Sequence, residues 1–188
     1  MVVENRPGAG GNLAAEVVAK SPPDGNTWLL GNNSILATNQ ALYSHLGYDP
    51  QKDFAPVALV AIQPNILVVH PSVPAQSVRE LIAYAKAHPG QLNYASTGAG
   101  VAAHLSAELF KAMAGVDLVH IPHKGSDQAR AAILGGQVQM MFDAVPTMAA
   151  NAAAGKVKAL ATSGAKRSPV NPSSSEMASK VLTSVSSD

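Results

Sequence analysis

Leu92-Asn93-Tyr94-Ala95-Ser96-Thr97-Gly98-Ala99-Gly100-Val101-Ala102-Ala103-His104-Leu105-Ser106-Ala107-Glu108-Leu109-Phe110-Lys111-Ala112-Met113 is the stretch on which the fold turns. It opens as a short strand over Leu92–Ala95 and breaks at Ser96-Thr97-Gly98-Ala99-Gly100. Helical spacing then resumes, with Val101, Leu105, Leu109 and Met113 as the apolar stripe. A strand feeding a glycine-rich turn into a helix leaves unpaired N–H groups and the positive end of the helix dipole at the turn. Ser96 and Thr97 add hydroxyls, and Gly98 and Gly100 allow an anion to approach the backbone closely. The pattern fits an anion cradle, and it equally fits a tight strand-to-helix turn.

On both sides of this stretch, apolar segments of strand and helix period alternate. Upstream, Val2-Val3 reads as the end of a buried strand, Leu13–Lys20 as a helix and Thr27–Leu30 as a strand. Ala37–Tyr43 reads as a second helix, and Phe54–Ile62 and Ile66–Val69 as strands interrupted at Pro64. Ser77-Val78-Arg79-Glu80 is a capping box opening a helix that stops at His88-Pro89-Gly90. Downstream come a strand at Leu118–Ile121, a helix capped by Ser126 and a strand at Val138–Phe142 closing on Asp143. An alanine-rich helix and a last strand at Lys158–Thr162 follow. This alternation predicts α/β layers around mostly parallel sheets. Beyond Pro169 seven of the last sixteen residues are serine, which predicts a disordered or poorly packed tail.

Composition narrows the function. The 188 residues suit one domain or two small lobes, and 47% hydrophobic content is ample for a core. A net charge of +1, with no basic run, gives no electrostatic footprint for nucleic acid. Without cysteine there is no disulfide, thiolate metal site or cysteine nucleophile. No apolar run reaches transmembrane length, and the opening residues do not read as a signal peptide.

Nucleophile-elbow, zinc-protease and P-loop motifs are all missing. His104 and Glu108 share a helical face as half of a metal site, but no third ligand is placed by sequence, so an ion pair is the expectation and no metal is assigned. Lys124, beside His123 in the turn after a strand, either faces an anion or is an ordinary surface lysine. Asp143 either accepts from a ligand amine or hydroxyl or caps the helix of Thr147. Gly98-x-Gly100-x-x-Ala103 satisfies the dinucleotide fingerprint, which also wants an acidic residue about twenty positions on. His120, Ile121 and His123 stand there instead, so an NAD(P)-binding enzyme is the alternative and not the main reading.

Ordered motifs carry a more specific signal. They run Val3-Glu4-Asn5-Arg6-Pro7-Gly8-Ala9-Gly10-Gly11-Asn12, Pro23-Asp24-Gly25, Tyr48-Asp49-Pro50 and Asp53-Phe54-Ala55-Pro56-Val57. Next are Asn93-Tyr94-Ala95-Ser96-Thr97-Gly98-x-Gly100, His104-Leu105, Pro122-x-Lys124-Gly125 and Gly136-Gln137-Val138-Gln139-x-Met141-Phe142-Asp143. Gly155-Lys156 and Ala165-Lys166-Arg167-Ser168-Pro169 complete the set. Together they resemble the solute-binding receptors of tripartite tricarboxylate transporters, a bacterial family of extracytoplasmic binding proteins.

The resemblance implies a two-lobed fold of the type II periplasmic-binding-protein kind, periplasmic and non-enzymatic. It implies closure on a small carboxylate (a di- or tricarboxylate, an amino acid or similar), no cofactor, and membrane transporter subunits as partners. Carried onto this chain, Asn32, Asn33 and Ser34 form the first lobe's ligand loop. Ser96, Thr97, Gly98 and Gly100 form the second lobe's anion clamp, with Lys124 and Asp143 near the cleft. Val101 stands where the family often has Ser or Thr, and His123 where it often has Tyr or Phe. The family pattern also implies a longer receptor. The expectation is therefore a chain truncated at both ends: a partial first lobe over 1–63 with uncovered apolar surface, an intact second lobe over 64–169, and a non-family tail over 170–188. A remnant that binds nothing is the remaining alternative.

Overall fold

The structure, a computed structural model, describes residues 1–6 and 8–164 and the backbone of 175–176. Pro7, the Ala165–Pro169 motif and the serine-rich stretch, except 175–176, lie outside the described residues. By packing, the chain divides into two compact units: Met1–Val60 with Gly100–Ala102, and Ala61–Ala99 with Ala103–Asp188.

The second unit is built on one six-stranded sheet. Its strands are β1 (Asn65–Val69), β2 (Asn93–Ser96), β3 (Val119–Pro122), β4 (Met140–Ala144), β5 (Lys158–Thr162) and β6 (Ser175–Glu176), in the order β3-β2-β4-β1-β5-β6. β2 runs parallel to β3 and β4, and β5 parallel to β6. β1 is antiparallel to both its neighbours, β4 and β5. The sheet is therefore mostly parallel, as expected, with β1 as the one reversed strand among those described. Alternation fixes which residues face which layer. Leu67, Val69, Tyr94, Met140 and Phe142 join one core cluster, and Ile66, Val68, Ala95 and Met141 join the other. A sheet apolar on both faces must be covered on both. Leu81, Ile82 and Ala85 of α3 (Val78–Ala87) and Ala107, Phe110 and Ala114 of α4 (Ala102–Ala114) cover the first face. Ala129, Ala132 and Ile133 of α5 (Ser126–Leu134) and Val145 and Met148 of α6 (Val145–Ala153) cover the second.

Three local readings change. The α4 stripe predicted from Val101, Leu105, Leu109 and Met113 is not the core face: Leu109 is 60% exposed, whereas Ala107, Phe110 and Ala114 are buried. The small alanines let the helix axis approach the sheet, and Phe110 fills the space against Phe142, ring centroids 6.4 Å apart. Ser126 is the first residue of α5, and extended Gly125 occupies the N-cap without a side-chain bond. The Ser77 cap does form, Oγ accepting the Glu80 N–H at 3.2 Å, but the Glu80 carboxylate reaches back to the Gln76 N–H at 2.8 Å.

The first unit has a smaller core of Ala15, Ile35 and Tyr48, with Phe54 edge-on to Tyr48 at 5.6 Å. Its helical elements are the 3-10 turn Ala9–Gly11, α1 (Asn12–Ala19), a wide π-type turn over Ser34–Thr38 and the single turn α2 (Asn39–Leu42). The strands expected at Val2-Val3, Thr27–Leu30 and Phe54–Ile62 do not form, and Val2, Trp28, Leu30, Val57, Leu59 and Val60 are exposed. Ile62, 83% exposed and within the second unit, continues that run. A β-branched run becomes a strand only where a neighbour pairs with it, and these runs have none among the described residues.

Candidate functional site

In the second unit, parallel pairing gathers the ends of three strands. Ser96 is in register with Pro122, the His123 N–H donates to the Ser96 carbonyl at 2.8 Å, and Ala95 pairs with Met141. The C-terminal ends of β2, β3 and β4 therefore lie side by side, which is where open α/β sheets bind ligands. The turn after Ser96, the Pro122-His123-Lys124-Gly125 turn and Asp143 share this end.

The turn itself is built by glycine geometry. Gly98 has φ +132° and Gly100 φ +80°, values that L side chains rarely adopt. A Cβ on Gly98 would meet nothing within 4 Å, so the space beside it is open. Ser96 is fully buried, and its Oγ accepts the Gly98 N–H at 3.1 Å, lies 3.0 Å from the Gly98 carbonyl and 2.6 Å from His120 Nε2. Thr97 is half-buried. The thirteen-residue α4 has no acidic residue in its first turn, so no carboxylate neutralises the positive end of its dipole. The Gly98 amide is already paired within the turn. An anion there would draw on the Thr97 hydroxyl and the remaining backbone N–H groups.

Lys124 is exposed, and its backbone N–H donates to Gln128 Oε1 at 3.3 Å. Asp143, its side chain 11% exposed, does not cap α6, whose N-cap is Ala144. Arg130 Nε donates to Asp143 Oδ2 at 2.7 Å, and the Ala144 N–H donates to Oδ1 at 2.8 Å. The Asp143 hydrogen bond, reinforced by the carboxylate's charge, holds the Arg130 guanidinium above its ordinary range. Sequence reasoning missed Arg130: the Asp127–Arg130 pair on one helix is legible, but the second partner arrives through the fold.

His104 and Glu108 belong to an aromatic and acidic cluster. Glu108 Oε1 accepts from the Tyr94 hydroxyl at 2.5 Å and from Lys111 Nζ at 2.9 Å. Tyr94 stacks on His120 with centroids 4.8 Å apart, and His104 lies 4.5 Å from His120. Among the described residues no group of three His, Asp or Glu is placed to hold a metal ion. Burial raises the Glu108 carboxyl, but hydrogen bonds from Tyr94 and Lys111 outweigh it and the net shift is downward. Burial, then the Glu108 carboxylate, pushes the Tyr94 phenol well above its ordinary value. Burial, then His104, pushes His120 down.

In the first unit, Asn32 Oδ1 accepts the Ile35 N–H at 3.1 Å, opening the π-type turn, and Asn32 and Asn33 are exposed. Ser34 is buried and donates to the Gly100 carbonyl at 3.0 Å. At Gly100 the positive φ is the constraint on a side chain, and a Cβ there would also push aside the end of the Leu42 side chain. Beneath lies a buried network the sequence reading did not assemble. Asn39 Nδ2 donates to Asn12 Oδ1 at 2.5 Å, and the Tyr48 hydroxyl lies 2.9 Å from both Asn12 Oδ1 and the Ile35 carbonyl. Asn12 and Tyr48 each belong to an ordered motif, and that was the available signal.

No helix among the described residues is long and apolar enough to cross a membrane. Residues 1–186 match a family model described as tripartite tricarboxylate transporter family receptor, a match that runs through the serine-rich stretch. A UPF0065 protein from the tcbD-tcbE intergenic region of Pseudomonas sp. strain P51 is 37% identical over 172 residues, 92% of this chain and 51% of that protein. BugT of Bordetella pertussis is 37% identical over 179 residues, 95% of this chain and 55% of its own. The chain thus spans about half the length of the curated relatives it matches. Rpa4515 of R. palustris, solved with adipate, has a TM-score of 0.88 at 41% identity, covering 95% of this chain and 60% of that one. MatC from Rhodopseudomonas palustris, solved with bound malate, has a TM-score of 0.83 at 34% identity with the same coverages. The periplasmic binding protein BugD has a TM-score of 0.85 at 35% identity, again covering 95% and 60%. With its family match running almost end to end and its sheet shared with periplasmic receptors, the chain belongs to the tripartite tricarboxylate transporter receptor family.

Proposed function

We propose that the chain acts as a periplasmic, non-enzymatic receptor for a small carboxylate, delivered to the membrane subunits of a tripartite tricarboxylate transporter. The observation that carries this reading is the Ser96–Gly100 turn. It opens an acid-free helix N-terminus at the C-terminal ends of three parallel strands, in a chain whose neighbours were solved with adipate and malate. A carboxylate gains from N–H and O–H donors held ready in a site of low dielectric. Thr97 supplies a hydroxyl and the turn supplies backbone donors. Lys124 adds long-range attraction. Asp143, committed to Arg130, is positioned to accept from a ligand hydroxyl or amine without adding an unpaired negative charge. In the first unit, Asn32, Asn33 and Ser34 are the proposed ligand loop.

The test is thermal unfolding of the full 188-residue chain with adipate, malate, NAD or NADP. A carboxylate at about one hundred times its Kd adds about 2.7 kcal/mol. For a chain of this size that corresponds to roughly 5–10 °C. Stabilisation by a dinucleotide and by neither carboxylate overturns the reading in favour of the glycine-fingerprint enzyme.

A further inference from the structure

The Ser96 hydroxyl is surrounded by three polar atoms: the Gly98 N–H at 3.1 Å, the Gly98 carbonyl at 3.0 Å and His120 Nε2 at 2.6 Å. A hydroxyl offers one proton and two lone pairs. One assignment satisfies all three contacts. The Gly98 N–H and a protonated His120 Nε2 donate into Oγ, and the Ser96 O–H donates to the Gly98 carbonyl. If His120 Nε2 instead takes the hydroxyl proton, the Gly98 carbonyl loses its donor. The tautomer of His120 therefore decides whether Ser96 can close the turn on itself.

The ring is held for this role from several sides. Tyr94, its register partner on β2, stacks on it at an interplanar angle of 15°. From α4, His104 packs against it, and Glu108 and Lys111 act on it by charge, as does His123 at the end of its own strand. Ser96 is fully buried and His120 half-buried, so both act through the backbone of Gly98.

We propose that His120 is a positioning residue for the ligand turn: by donating Nε2–H to Ser96 Oγ it fixes the one hydroxyl orientation that pins both polar groups of Gly98. The inference rests on the carboxylate-receptor reading for its effect on binding, and on geometry alone for its effect on the turn.

Three full-length variants test it. His120→Phe keeps a ring for the Tyr94 stack and removes the donor, His120→Gln restores an N–H donor, and Ser96→Ala removes the acceptor. Without ligand, amide hydrogen exchange at Gly98 is expected to speed up about three- to tenfold in His120→Phe, the worth of one net hydrogen bond. It is expected to recover in His120→Gln, while amides of β1 and β4 stay protected. With malate or adipate, Kd is expected to weaken by a similar factor in His120→Phe and to recover in His120→Gln. In a Ser96→Ala background, His120→Phe is expected to add nothing. Wild-type exchange at Gly98 in His120→Phe, or full additivity of the two substitutions, overturns the proposal. A wild-type chain that takes up neither carboxylate defeats the receptor reading instead, and the exchange series still decides the role of His120.

Discussion

Replacing Tyr94 by Phe removes one hydroxyl from a fully buried ring and one hydrogen bond of 2.5 Å from Glu108 Oε1. The ring remains to stack on His120 and to fill the core. A hydrogen bond to a charged group contributes about 1.5–3 kcal/mol when shielded. The Glu108 side chain is 40% exposed and keeps Lys111, so water replaces part of what is lost. Discounted for that screening, the expected cost at neutral pH is about 1 kcal/mol. That is a fall of about 2–4 °C in the thermal midpoint.

The pH dependence makes the experiment specific. The folded-state pKa of Glu108 lies below its ordinary 4.5. Its stabilising contribution is therefore present above that value and lost as pH falls through the folded value. The gap between wild type and Tyr94→Phe is expected to be full from pH 6 to 8 and to narrow below pH 4.5, where a neutral carboxyl receives only a neutral hydrogen bond. At the other end, the Tyr94 phenol is raised above its ordinary 10.0 by burial. Wild type is thus expected to lose stability as pH climbs past 10, and Tyr94→Phe escapes the share due to Tyr94, while that of buried Tyr48, also raised, remains. Urea unfolding across this range reads both ends. A gap that stays constant from pH 3 to 8 would refute the assigned bond.

Two further substitutions probe the strand ends. Gly98→Ala forces a side chain to φ +132° but meets no neighbour, so a strain cost of about 1–3 kcal/mol is expected. Weakened carboxylate uptake should accompany it, read by calorimetry; unchanged stability and affinity would show that the turn tolerates a side chain. Arg130→Met leaves a nearly buried Asp143 carboxylate with the Ala144 N–H as its recorded donor, and about 2–4 kcal/mol should be lost in denaturant unfolding. A near-neutral result would mean that solvent reaches Asp143.

How legible the sequence is depends on how local each cause is. The capping serine at 77, the glycine turn after Ser96 and the continuous apolar runs of β1 and β4 depend on neighbours a few residues away, and they can be read directly. The run Val57–Ile62 is at least as apolar as β1 yet forms no strand, because pairing is supplied from outside the run. The antiparallel setting of β1 is silent in its own residues, which only report that both faces are buried. On α4, two stripes compete. Leucine content favours Val101-Leu105-Leu109-Met113, but distance to the sheet favours the alanine face around Phe110. Ser96, Lys124 and Asp143 are legible as candidates because each stands at or just beyond a strand end. Arg130 and His120 were missed because their roles exist only through a partner brought up by parallel pairing.

Parallel pairing also explains why the second unit's candidate residues coincide although as many as 47 positions separate Ser96 from Asp143. Each parallel strand must return by a crossover helix, so all such strands present the same end to their following loops. β2, β3 and β4 obey this, and their C-terminal loops contribute a hydroxyl and glycine turn, a lysine turn and an arginine-held carboxylate. β1, antiparallel to its neighbours, sends its opposite end there. It contributes Asn65, whose Nδ2 donates to Ser106 of α4 at 3.1 Å and whose backbone N–H donates to Ser163 Oγ at 2.8 Å. Asn65 thus braces α4 and the end of β5 from the strand that cannot offer a loop. Three of the ordered motifs, Asn93–Gly100, Pro122–Gly125 and Gly136–Asp143, run into these same strand ends, so one sheet polarity brings their loops together.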